Sequence, residues 1–166
     1  MNKDLYEVSN KVRVLSLISI YYARSGHPGG CLSCADLLTY IFLRLKNLPN
    51  DSDKINNPFI LSKGHACPAL YSIASCVNLI TESEIFELRK IGSRVQGHPS
   101  VESLPWVEAS TGSLGQGLSV GLGMALGYKH INNSKIAVYV IIGDGELQEG
   151  EVWEALMCGA NFNLNN

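Results

Sequence analysis

The run Lys135-Ile136-Ala137-Val138-Tyr139-Val140-Ile141-Ile142 is apolar on both faces and passes directly into Gly143-Asp144-Gly145. A strand without a polar face belongs in the middle of a parallel sheet that is covered on both sides. Parallel neighbours need crossover connections, so the remainder of the chain has to supply helices. Apolar residues at three- and four-residue steps (Leu5, Val8, Val12, Leu15, Ile18, Tyr22) predict a helix from Leu5 to Arg24. Ser25-Gly26-His27-Pro28-Gly29-Gly30 should break it, and Cys31 to Leu45 reads as the next helix, followed by a polar surface loop over residues 47–53. Pro58 to Ser62 is a short buried strand, and Ala66 to Leu79 is a helix. Thr81 and Glu84 have the spacing of a capping box, for a helix that runs to about Lys90.

From Ile91 to Gly112 the sequence has no sustained period and many breakers, and irregular segments of this length in compact domains are commonly functional. Leu114 to Tyr128 is a helix despite Gly117, Gly121, Gly123 and Gly127, each costing about 1 kcal/mol relative to Ala. Either a tightly packed neighbour or a ligand has to justify them. Val152 to Phe162 closes the pattern with a helix. Helices alternating with apolar strands predict an α/β fold, a parallel sheet with helices on both faces, and a ligand crevice at the carboxyl ends of the strands.

A length of 166 residues suits one soluble domain. A net charge of -2 gives no electrostatic reason to expect nucleic acid or an anionic membrane as a partner. The stretch Val12 to Tyr22 is interrupted by Arg13 and two serines and lacks a signal-cleavage pattern, so a cytoplasmic location is expected. Five cysteines are an odd number for a disulfide framework. Cys31 and Cys34 form a C-x-x-C pair without a second pair to complete a zinc site, which favours packing thiols.

Three of the four histidines follow a glycine, in Gly26-His27, Gly64-His65 and Gly97-His98, which is more than 16 glycines in 166 residues would supply. An imidazole in such a loop can donate to phosphate or carry a proton near neutral pH. Asp144 between two glycines at a strand tip can ligate a hard cation, while the glycines let a diphosphate approach backbone amides. The dinucleotide fingerprint beginning at Gly143 fails at Gln148, and a P-loop Gly-Lys-Ser/Thr is absent. Ser110-Thr111-Gly112-Ser113-Leu114-Gly115-Gln116-Gly117 places flexible backbone before a helix, suited to an anion or a polar ring edge, or simply to capping.

Taken in order, Ser25-Gly26-His27-Pro28-Gly29, Leu61-Ser62-Lys63-Gly64-His65-Ala66, Gln96-Gly97-His98-Pro99, Ser110 to Gly117 and Gly143-Asp144-Gly145-Glu146-Leu147-Gln148-Glu149-Gly150 resemble transketolase. The resemblance covers about Leu5 to Asn166 and is nearest to the amino-terminal subunits of split bacterial and archaeal transketolases. It implies the diphosphate domain of the thiamine-diphosphate-binding fold, and transfer of a two-carbon ketol unit from a ketose phosphate to an aldose phosphate. By matching positions, Asp144 would bind Mg²⁺ or Ca²⁺ and the Gly145 amide would support the diphosphate. His65 would contact the diphosphate. Gly112 and Leu114 would line the aminopyrimidine. His27 and His98 would face the sugar's reacting hydroxyls, and Glu149 and Glu154 would lie in the carboxylate network that links paired sites of an oligomer. Cys31 and Cys34 stand where the family usually carries Ser or Ala.

The same resemblance implies that residues 1–166 are one partial diphosphate-binding domain, truncated at its carboxyl end. The second metal ligand of the family, an asparagine, would lie beyond residue 166, and Asn165 and Asn166 are not assigned to that role. The pyrimidine and carboxyl-terminal domains would come from another chain or from a missing half. Alternatives are a non-catalytic relic or interaction module, or another ketol transferase of the dihydroxyacetone synthase or deoxyxylulose-phosphate synthase type.

Overall fold

The computed structural model describes residues 3–45, 57–130 and 136–166. In chain order the elements are α1 (Lys3–Ala23), α2 (Pro28–Tyr40), a π-helical turn (Ile41–Leu45), β1 (Phe59–Leu61), a 3-10 turn (Gly64–Ala66) and α3 (Cys67–Cys76). Then follow α4 (Glu82–Ile85), α5 (Gln116–His130), β2 (Tyr139–Ile141), a second 3-10 turn (Gly145–Gln148) and α6 (Gly150–Asn161). β1 and β2 pair in parallel, with Phe59, Ile60 and Leu61 opposite Tyr139, Val140 and Ile141.

The two-residue period of the strands sorts their side chains onto two faces. Phe59, Leu61, Tyr139 and Ile141 pack with Cys31, Leu38, Phe42, Leu70 and Ile73 of the α1 to α3 layer. On the opposite face, a Cβ at Gly121 would lie 2.5 Å from Val140 Cγ2 and 3.6 Å from Ile60 Cδ1. Gly117 likewise leaves no room for a Cβ, which would fall 2.7 Å from Ser62 Cα. Half of the glycine question in α5 is thereby answered: Gly117 and Gly121 allow the helix to lie directly on the sheet. Among the described residues a Cβ at Gly123 or Gly127 would meet nothing within 4 Å, so their packing does not explain these two.

The order of layers is therefore helices, parallel sheet, helices, as the alternation of the sequence predicts. Val12, Ser16 and Ser19 are buried on α1. Ser16 Oγ bonds Val12 O at 2.6 Å and reaches Ser72 Oγ of α3 at 3.2 Å, so the serines that interrupt the apolar stretch are where two helices meet closely.

Several boundaries differ from expectation. Pro28-Gly29-Gly30 forms the first turn of α2 and not part of the loop, because proline at the head of a helix lacks only an amide that has no intrahelical partner. The helix expected from Thr81 to Lys90 is α for only Glu82–Ile85, and then continues as turns. The reciprocal bond from Thr81 N to Glu84 Oε2 does form, at 2.8 Å, but Arg89 is left-handed at φ 62° and turns the chain away. The strand expected from Lys135 to Ile142 is Tyr139–Ile141, and Lys135 lies outside the described residues. It is also less enclosed than predicted: Tyr139 and Val140 are half-buried, whereas all of β1 is buried. The loop expected over 47–53 lies outside the described residues.

The irregular segment Ile91 to Gly112 contains no helix or strand, as predicted. It is anchored, because Val95, Leu104 and Val107 join Leu15, Tyr71 and Leu88 in a second core.

Candidate functional site

Because β1 and β2 are parallel and in register, everything that follows them emerges on one edge of the sheet. Ser62 N donates to Ile141 O at 2.9 Å and prolongs the pairing to the strand tips. Just beyond, Gly64-His65 leaves β1 and Gly143-Asp144-Gly145 leaves β2. A Cβ at Gly143 would stand 3.6 Å from Lys63 Cβ, so the two loops are neighbours.

The loop before α5 reaches the same edge. Thr111 Oγ1 donates to Leu61 O at 2.7 Å. A Cβ at Gly64 would fall 2.8 Å from Gly112 N, and only glycine lets these backbones meet. Gly112 adopts φ 145°, and a Cβ there would strike His98 at 2.9 Å from Cγ. The His98 loop is held from beneath by α3: Tyr71 OH donates to Gln96 O at 3.0 Å and to His98 O at 3.2 Å, and Cys67 Sγ to Gly97 O at 3.1 Å. Burial raises the Tyr71 phenol and pushes the Cys67 thiol up to about 12, so both remain protonated donors.

His27 precedes α2, and its ring meets that of His65 edge-on with centroids 5.0 Å apart. Gly30 closes this contact, since a Cβ there would be 3.2 Å from His65 Nε2. Burial, then the neighbouring His27 and Lys63, lowers the His65 pKa. The His98 pKa is lowered by partial burial, then by Arg89 and His27. Both imidazoles are thus held neutral near pH 7, each able to donate through one nitrogen and accept through the other.

Glu146, 1% exposed, ties these loops together. Its Oε1 accepts from Ser62 Oγ at 2.5 Å and Gly115 N at 2.8 Å, and Oε2 accepts from Gly143 N at 2.9 Å. Lys63, 6% exposed, donates to Gly30 O at 3.0 Å and Ser33 Oγ at 2.9 Å, joining the tip of β1 to the head of α2. Sequence reasoning gave no role to Glu146, Lys63, Ser62, Thr111 or Tyr71. The available signal was ionisable residues embedded in apolar strings: Lys63 follows Phe59-Ile60-Leu61-Ser62, and Glu146 lies shortly past the end of a buried strand.

Of the residues singled out from sequence, His27, His65, His98, Gly112 and the Gly143-Asp144-Gly145 loop come to one edge. Leu114 is half-buried beside Gly115. Asp144 is exposed at the strand tip, and among the described residues a Cβ at Gly145 would meet nothing within 4 Å, so a polar group can approach there. Glu149 borders the same edge, its Cβ 3.3 Å from where a Cβ on Gly115 would be. Glu154 is exposed on α6, away from these loops in sequence. Cys31 and Cys34 are free and buried, and burial pushes Cys31 up to about 11. Among the described residues no group of three His, Cys, Asp or Glu side chains is placed to hold a metal ion. Nor is any described helix long and apolar enough to cross a membrane.

A three-layer α/β chain whose glycine-rich loops gather histidines and a strand-tip aspartate at the carboxyl edge is of the class that binds diphosphate cofactors. The sequence model for "Transketolase, thiamine diphosphate binding domain" matches residues 5–166, and the chain belongs to this family. It is 38% identical over 164 residues to transketolase of Homo sapiens, covering 98% of this chain and 26% of the relative. It is 37% identical over 165 residues to an apulose-4-phosphate transketolase subunit of Phocaeicola vulgatus, covering 98% of this chain and 57% of that one. Transketolase from Campylobacter jejuni superposes with a TM-score of 0.87 at 34% identity, over 100% of this chain and 28% of that one. Transketolase from Leishmania mexicana gives 0.84 at 31% identity, over 93% of this chain and 25% of that one. The chain thus spans about a quarter of the curated transketolases it matches, and identity does not separate these longer relatives from the Phocaeicola subunit.

Proposed function

We propose that this chain is the diphosphate-binding part of a transketolase that moves a two-carbon ketol unit from a ketose phosphate to an aldose phosphate. The observation that carries the reading is the convergence of the Gly64-His65, His98, Gly112 and Gly143-Asp144-Gly145 loops at the carboxyl edge, packed so closely that a Cβ on Gly64 or Gly112 would strike the neighbouring loop. An anionic group can approach the exposed Gly145, and Asp144 stands exposed beside it at the strand tip. The open Gly145 amide and the neighbouring histidines suit the diphosphate of thiamine diphosphate, and Asp144 would offer Mg²⁺ or Ca²⁺ one carboxylate ligand. That cofactor, when bound, supplies the carbanion chemistry of ketol transfer.

Within this reading Asp144 ligates the metal, the Gly145 amide and His65 hold the diphosphate, and Gly112 and Leu114 position the aminopyrimidine. His27 and His98 donate to the sugar's hydroxyls and move protons there. Their crowding supports a neutral, proton-exchanging state for His98, whose pKa is lowered by partial burial, Arg89 and His27. Glu149 and Glu154 belong to the carboxylate network at an oligomer contact. The reading includes a single partial domain over residues 1–166, a pyrimidine-domain partner, a further metal ligand from outside these residues, a cytoplasmic location and a place in pentose phosphate metabolism.

The test is co-expression with a pyrimidine-domain chain and an assay with xylulose 5-phosphate and ribose 5-phosphate. Ketol transfer is expected from the assembled pair. The isolated chain is expected to give no transfer and at most weak cofactor binding. Absence of transfer from a correctly assembled pair would favour a non-catalytic interaction module.

A further inference from the structure

Arg89 belongs to none of the glycine-rich loops of the site, yet it touches two of them. Its left-handed backbone, φ 62°, and the bond from its amide to Val95 O at 3.0 Å fold the chain after α4 back on itself. That fold sends the side chain towards the glycine-histidine loops. Nη1 donates to Ser25 Oγ at 2.8 Å, two residues before His27. On its other side the guanidinium lies against the backbone of Gly97, immediately before His98. A Cβ at Gly97 would stand 3.1 Å from Nε, 3.2 Å from Cζ and 3.3 Å from Nη2.

We propose that Arg89 is a positioning residue that sets the separation of His27 and His98, by bonding Ser25 while its planar head fills the space left by the missing side chain of Gly97. The inference rests on the reading of His27 and His98 as the residues that face the sugar hydroxyls. Two features distinguish it from ordinary structural support. Among the described residues the buried Arg89 Nε has no hydrogen-bond partner, so packing against Gly97, and not a hydrogen bond, holds this edge of the guanidinium. The His98 loop is already held from beneath by Tyr71 and Cys67, so Arg89 adds lateral placement to a loop that is otherwise fixed.

A lysine could not replace it, because a compact ammonium cannot bond Ser25 and lie flat on Gly97 together. The same contact leaves a signature on His98. Its pKa is lowered first by burial, then by the Arg89 guanidinium and by His27, so removing the guanidinium should raise it.

The experiment combines Arg89→Met, Arg89→Lys and Gly97→Ala, assayed as ketol transfer in the assembled enzyme and as imidazole titration by NMR on the 166-residue chain. Arg89→Met should lower kcat/KM for the ketose donor about tenfold, chiefly through KM, and Arg89→Lys should not rescue it. Gly97→Ala, which displaces the guanidinium, should reproduce that loss, and combining it with Arg89→Met should add nothing. His98 should titrate at higher pH in Arg89→Met. Unchanged kinetics in Arg89→Met, while His98→Ala abolishes transfer, would overturn the positioning role and leave the proposed function intact. A lowered thermal midpoint with unaltered donor KM and unaltered His98 titration would overturn it too, as the mark of mere structural support. Full transfer by His98→Ala would remove the functional reading itself, and the role of Arg89 with it.

Discussion

β1 and β2 are paired residue for residue and are similarly apolar, yet they are covered very differently. Phe59, Ile60 and Leu61 are 5%, 1% and 3% exposed, enclosed between the α1 to α3 layer and α5. On the β2 side Tyr139 and Val140 are half-buried, and α6 turns Trp153, Leu156 and Met157 outward at 55%, 46% and 65% exposure. The site straddles this divide. Its histidines come from the enclosed half, where helix packing fixes the loops. Asp144 comes from the more open half, and the Glu146 carboxylate fastens one half to the other at Ser62, Gly115 and Gly143.

If Glu146 is that fastening, Glu146→Ala has the largest effect. It leaves three donors without their acceptor and should cost about 3–5 kcal/mol in urea denaturation. A loss below about 1 kcal/mol would mean the halves are joined some other way. Next comes the contrast between the strands: Ile60→Ala should cost about 3 kcal/mol and Val140→Ala about 1 kcal/mol, because only the first empties a closed core. Equal losses would erase the distinction between the strands. Within α6, Val152→Ala, at a fully buried position, should cost about 1–2 kcal/mol, while Trp153→Ser should stay within about 0.5 kcal/mol in the isolated chain. A large loss from Trp153→Ser would show that the open face is covered already.

The smallest expected effect is one of pH. His65 and His98 have folded pKa values below the unfolded value of 6.5, so the unfolded chain binds more protons as pH falls. Their contribution is present above the unfolded pKa and is lost as pH drops through the folded values. The thermal midpoint should therefore decline on acidification below about pH 6.5, and less steeply in His65→Gln. An identical slope in that variant would show that His65 does not contribute.

Much of this was legible in the sequence, for reasons that can be stated. The strand that precedes Gly143 was visible because an apolar run on both faces has few other uses, and His27, His65 and His98 because each follows a glycine. The extent of α4 was not legible. The capping box signals a helix start, but it does not show that Arg89 turns left-handed to reach Gly97. Nor was the start of α2, because Pro28-Gly29-Gly30 reads as a breaker until its place at a helix head is known. Glu146 stayed hidden because a buried carboxylate needs its three donors, and these come from Ser62, Gly115 and Gly143, segments far apart in the chain.

In the proposed function, cofactor binding hinges on the exposed Asp144 carboxylate at the tip of β2. Calorimetric titration of thiamine diphosphate into the assembled enzyme, with and without Mg²⁺, for the parent chain and Asp144→Ala, tests it most directly. Tight binding that requires Mg²⁺ in the parent and collapses in Asp144→Ala is the predicted result. Equal affinity in both, or binding indifferent to the metal, would contradict it.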